Sequence, residues 1–136
     1  MKSLAGKTVW VTGAGRGIGR GAALAFAAAG ARLVLVSRTE AELADAAREV
    51  RALGAQVLAE PLDIRHLPGI HALLKAALKR FGSIDVLVNN AAVLGPHAPL
   101  AQVSDADWAE VLAVNLSAAF RLTREILASS MLPRGE

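Results

Sequence analysis

The sequence predicts an α/β fold with a parallel sheet, doubly wound so that helices cover both faces. Three observations carry this. Short apolar runs alternate with helix-period segments along almost the whole chain. Glycines mark most of the changeovers, and the connections are short, as in repeated strand-helix-strand units. The composition, 54% hydrophobic and 20% charged, is apolar enough for elements covered on more than one side.

The elements follow in order. Lys7 to Thr12 places Val9, Trp10 and Val11 together, as a strand buried on both faces requires. Residues 17–29 are alanine-rich and helical, with Gly30 where a left-handed cap would sit. Arg32 to Ser37 is the second strand. Thr39 with Glu42 three residues on predicts a capping box for a helix reaching about Leu53. Gln56 to Leu62 is a weaker third strand. Pro68 suits a first helical turn, and Ile70, Leu73, Leu74, Ala77 and Leu78 continue at helical spacing to Gly82.

Ile84 to Asn89 is the fourth strand, and Ala91 to Val103, with two prolines and a glycine, is a loop at its carboxyl end. Ser104 caps a helix with Asp107 at its third position, and helical character runs towards Met131 with a break expected near Asn115. Trp108 and Phe120 at helical spacing are expected in the core, with an oligomer surface as the alternative. Residues 1–136 form one domain, long enough for a real core.

Composition also excludes. A net charge of +3, with basic residues scattered rather than striped, argues against nucleic acid. No cysteine is present, so disulfides and thiolate metal sites are ruled out. His66 and His71 do not share a helix face and His97 stands alone in a loop, so no metal site is expected. MKSLAGKTVW has no signal-peptide core, and no apolar run reaches the roughly eighteen residues of a membrane span; the expectation is cytoplasmic.

Gly13, Gly15, Gly17 and Gly19 cluster where the first strand passes into the first helix. Unpaired N–H groups and the positive end of a helix dipole make such a corner a phosphate site, and glycine leaves no Cβ in the way. The spacing departs from G-x-G-x-x-G, whose third glycine would fall on Ile18, and fits T-G-x-x-x-G-x-G over residues 12–19. A tight turn packing helix on sheet is the plain alternative.

Together with Asp63 after the third strand, Asn89-Asn90-Ala91-Ala92 after the fourth and Asn115 in Val-Asn-Leu, this motif resembles the short-chain dehydrogenase/reductase family of Rossmann-type enzymes, in its N-terminal cofactor-binding part, from about Leu4 to Pro133. The resemblance implies that Gly13, Gly17 and Gly19 shape a turn beside the diphosphate of a nicotinamide dinucleotide, with Ile18 close by. It implies that Asp63 accepts from the adenine amino group with Ile64 beside the ring, and that Asn89 and Ala91 line the adenine ribose and the way to the nicotinamide. Asn90 would tie the fourth strand to its neighbours, and Asn115 would serve the catalytic proton relay. Asp63 as a helix-flanking acid and the asparagines as turn formers remain open alternatives.

The end of the second strand, where a carboxylate would accept from the 2′-hydroxyl of NAD, holds Ser37 and Arg38, and Arg16 rises from the glycine turn. A guanidinium suits phosphate, so NADP(H) is favoured over NAD(H). The expected function is reversible carbonyl/alcohol hydride transfer on a small substrate, of the 3-oxoacyl-carrier-protein reductase or sugar/polyol dehydrogenase kind, in a homodimer or homotetramer. The alternative is a non-catalytic nucleotide-binding or oligomerisation module.

The family's Tyr-x-x-x-Lys motif is missing, because the chain has no tyrosine and its last lysine is Lys79. Ser117, Ser129 and Ser130 are not substitutes. In the strand order 3-2-1-4-5-6, the fourth strand would keep one open edge. The expectation is therefore the cofactor-binding half of a longer reductase, inactive alone.

Overall fold

The computed structural model describes residues 3–135, so residues 1, 2 and 136 of the expected domain lie outside the described residues. Four strands, β1 (Thr8–Thr12), β2 (Arg32–Ser37), β3 (Val57–Pro61) and β4 (Val86–Val88), form one parallel sheet in the order β3-β2-β1-β4. The order is that of a doubly wound parallel sheet, with β1 between β2 and β4 and with β4 paired only to β1 among the described residues. β4 is shorter than expected. Ile84 and Asp85 precede it, and the Asp85 N–H donates to the Thr8 carbonyl at 2.9 Å.

Alternate strand residues feed opposite cores. Val9, Val11, Leu33 and Leu35 pack on helices α1 (Gly17–Ala28) and α2 (Glu40–Ala52), where Ala23, Ala27, Leu43, Ala47 and Val50 are buried. Trp10, Val34 and Val36 point the other way, onto helix α3 (Leu67–Phe81) and the C-terminal helical rod. The small residues of α1 let that helix lie close to the strands. Gly30, at φ +93°, ends it in the left-handed geometry expected.

The rod runs without interruption through α4 (Asp105–Leu112), a π-helical turn (Ala113–Ala118), α5 (Ala119–Ile126) and a second π turn (Leu127–Met131). The expected break at Asn115 is therefore a widening, not an interruption. Ser104 caps the rod as read, its Oγ accepting from the Asp107 N–H at 3.1 Å.

Two expectations are corrected and one cap is added. Thr39 makes no side-chain cap to α2, so the capping box with Glu42 does not form. The N-cap that sequence reading missed is His66, whose Nδ1 accepts from the Gly69 N–H at 3.2 Å. Trp108 and Phe120, expected in the core, are 59% and 61% exposed. The rod carries two apolar stripes; Val114, Ala118, Leu122 and Ile126 are buried, which leaves Trp108, Leu116 and Phe120 on the outer side.

Candidate dinucleotide site

A cleft of about 340 Å³ opens at the carboxyl ends of β1, β2 and β4 and of the segment after β3. This is where an open α/β sheet binds its ligands. The glycine turn forms its floor. Gly13 and Gly17 adopt φ of +63° and +55°, which a side chain disfavours, and nothing lies within 4 Å of where a Cβ on Gly17 would stand. Gly19 serves differently: a Cβ there would overlap the Gly13 carbonyl oxygen and lie 2.5 Å from Asn90 Nδ2. Helix α1 can start against the strand only because that atom is missing.

The turn is braced from β4. Asn90 Nδ2 donates to the carbonyls of Thr12 and Gly13 at 3.0 and 3.2 Å, and the Thr12 Oγ1 accepts from the N–H groups of Asn90 and Ala91, each at 3.0 Å. Asn90 thus ties β4 to β1 as expected. Thr12, part of the motif, carries as much of the brace, a role that spacing did not reveal.

Helix α1 has no side-chain cap and no acid in its first turn, whereas α2 and α4 carry Glu40 with Glu42 and Asp105 with Asp107 there. Its leading N–H groups are left for an anion. Arg20, inside α1, is occupied elsewhere, donating to Glu49 at 2.6 and 3.2 Å. Arg16 and Arg38 are exposed and line the cleft together with Ser37, and their guanidinium groups have no hydrogen-bond or ion-pair partner among the described residues.

Gly13, Arg16, Gly17, Ile18, Ser37, Arg38, Asp63, Ile64 and Ala91 all line this cleft. Gly15 and Gly19 support it from behind. Ile18 is 85% exposed, an apolar side chain that a ligand would cover. Asn89 is exposed beyond the residues that line the cleft, and its Nδ2 donates to Thr123 Oγ1 on α5 at 3.0 Å. Asn115 does not line the cleft either. Its Oδ1 accepts from the Val93 N–H and its Nδ2 donates to the Val93 carbonyl, both at 2.8 Å, so it holds the loop after β4. Val93 itself lines the cleft.

Asp63 receives Arg65 from three sides: the backbone N–H at 2.9 Å, Nε at 3.0 Å and Nη2 at 2.6 Å. The Arg65 side chain holds the Asp63 carboxyl below the ordinary carboxylate range, partial burial pulling the other way. Arg65 also lies 3.8 Å from Glu110 on α4. The sequence does not single out Arg65 and offers Glu42 only as half of a capping box; the fold brings Glu42 to the cleft wall and Arg65 to Asp63.

A family model described as short chain dehydrogenase matches residues 7–136. The chain belongs to the short-chain dehydrogenase family. A ketoacyl reductase, HetN, of a Nostoc species is 41% identical over 135 residues, covering 99% of this chain and 46% of that protein. An NAD+-bound xylitol dehydrogenase superposes with a TM-score of 0.88 at 31% identity, covering 92% of this chain and 48% of its own. A metagenomic short-chain oxidoreductase in complex with NADP gives 0.84 at 39% identity, with 90% and 55% covered. The short-chain dehydrogenase chain described here spans about half the length of the curated relatives it matches. Structural neighbours hold either nicotinamide dinucleotide, so a cofactor of that class is supported. Among the described residues, no helix is long and apolar enough to cross a membrane.

Proposed function

We propose that this short-chain dehydrogenase chain binds NADP(H) and forms the cofactor-binding part of a reductase for small carbonyl or alcohol substrates. The observation that carries the reading is the pair of unpartnered guanidinium groups, Arg16 and Arg38, facing one cleft with Ser37 where a carboxylate would select NAD. The two cations flank the place of a ribose 2′-phosphate, and Ser37 adds a hydroxyl. The glycine turn and the uncapped start of α1 take the diphosphate, while Asp63 and Ile64 meet the adenine. When bound, the nicotinamide supplies or accepts the hydride.

Asn115 acts as a positioning residue, fixing Val93 and the loop that leads away from the nicotinamide end. A nucleotide-binding module without chemistry is the second reading. The substrate class is ketoacyl or polyol, in keeping with the named relatives. The setting is the cytoplasm and the assembly a homodimer or homotetramer, the exposed stripe of Trp108, Leu116 and Phe120 supporting the latter.

Isothermal titration calorimetry with NADPH and NADH tests the cofactor reading. NADPH is expected to bind at least about tenfold tighter, and Arg38→Ala or Arg16→Ala to weaken NADPH by about tenfold each with little change for NADH. Equal affinities would overturn the NADP reading, and no heat with either would overturn dinucleotide binding.

A further inference from the structure

The wall that holds Arg16, Ser37 and Arg38 also holds a carboxylate, Glu42. Its place needs a cause, because the capping box that would employ it on α2 is not formed. Glu42 is half-buried and, among the described residues, has neither a hydrogen-bond nor an ion-pair partner. A half-buried acid with no partner beside two unpartnered cations is poised for a ligand that meets all three.

Gly15 makes the placement possible. A Cβ built on Gly15 would stand 2.9 Å from Ser37 Oγ and 3.1 Å from Glu42 Cβ, with the Leu43 N–H at 3.4 Å. Any side chain at residue 15 would push Ser37 and the first turn of α2 away from the glycine turn. With glycine there, the stem of Glu42 seats against the turn in contact range of the same surface as Ser37. The field of Glu42 also reaches Arg20 one turn into α1, where it favours the charged guanidinium.

We propose that Glu42 sets how strongly the cleft separates the two nicotinamide dinucleotides: its carboxylate opposes a ribose 2′-phosphate and accepts from a ribose 2′-hydroxyl. The inference rests on the dinucleotide reading above and adds a residue to it. Two guanidinium groups against the Glu42 carboxylate, with the other lining acid, Asp63, neutralised by Arg65, leave the wall with a single net positive charge facing a dianionic phosphate. Preference for the phosphorylated cofactor is thereby moderated, and the site retains NAD(H) as a usable second ligand. Gly15 and Glu42 form one device, since the glycine brings the acid within reach.

The test uses fragments that isolate the ribose end, adenosine 2′,5′-bisphosphate and adenosine 5′-monophosphate, titrated calorimetrically into the wild-type chain, Glu42→Gln and Glu42→Ala. Removing one unit charge from the wall of a half-solvated cleft should raise the bisphosphate-to-monophosphate affinity ratio about fivefold in both variants. The gain should shrink as salt rises from about 0.02 M to about 0.5 M, since ions screen solvent-exposed charges. A change caused by loosened packing would not follow salt. If the fragments bind and the ratio stays within twofold of wild type in Glu42→Gln, the inference is overturned and the dinucleotide reading stands. If neither fragment nor either whole dinucleotide binds the wild-type chain, the dinucleotide reading falls and the inference falls with it.

Discussion

The glycine turn, Gly13 to Gly19, and the helical rod, Asp105 to Met131, are both repetitive in sequence, but repetition means different things in the two places. In the turn each glycine has its own stereochemical duty: φ above zero at Gly13 and Gly17, close approach of backbone or side chain at Gly15 and Gly19. In the rod, apolar residues recur every four positions on two stripes, and only one of them is packed. Backbone geometry identifies a residue locally, whereas the choice between two equivalent stripes is made by what the sheet offers.

The sharpest way to break the comparison lies in the turn. Gly19→Ala forces a methyl onto the Gly13 carbonyl and Asn90 Nδ2, which are backbone and brace and cannot both yield. A loss of about 3 kcal/mol or more is expected in denaturant titrations. Gly21→Ala, two residues later with nothing within 4 Å, is expected to stabilise by about 0.5–1 kcal/mol because alanine is the better helix former. Equal effects would mean that the turn is not the constrained site described.

The rod gives the next contrast. Leu122, 2% exposed, should cost about 2–4 kcal/mol on truncation to alanine, whereas Leu116, 63% exposed, should cost less than about 0.5 kcal/mol in the isolated chain. Similar losses in a concentration-dependent melt would show the outer stripe buried by a second copy.

The smallest effect concerns acid. The Asp63 carboxyl is held low by Arg65, so its contribution to stability is present above the unfolded value near 4 and is lost as pH falls through the lower folded value. Both partners are about one-third exposed, so solvent keeps the contribution below about 1 kcal/mol. Asp63→Asn should flatten the decline of stability as pH falls through and below the unfolded value near 4. An unchanged slope would show that another carboxylate governs it.

Much of this architecture could be read before any coordinates. The glycine corner follows from local turn stereochemistry, strand order from the alternation of strands and helices, and the brace residue Asn90 from the family resemblance. Other features depended on partners that the sequence pattern does not name. Thr39 and Glu42 satisfy the capping pattern, yet the fold gives Glu42 a cleft wall instead of a helix start. His66 looked like a candidate ligand to be dismissed and is a helix cap. Asn89, expected at the ribose, is taken by Thr123, thirty-four residues away in sequence. Arg65 reaches Asp63 because the two-residue step after β3 folds back, a local event with no composition signal. The outer stripe of the rod was misread because helical periodicity alone cannot say which side meets the sheet.

The brace between Thr12 and Asn90 joins residues 78 apart in the chain. No contiguous peptide therefore contains a finished nucleotide cleft, and the cleft comes into being only when β4 docks beside β1. Such distant pairings form slowly, because the intervening chain must first give up its freedom. Nucleotide affinity is accordingly a late reporter in refolding, appearing after helix signals have already matured.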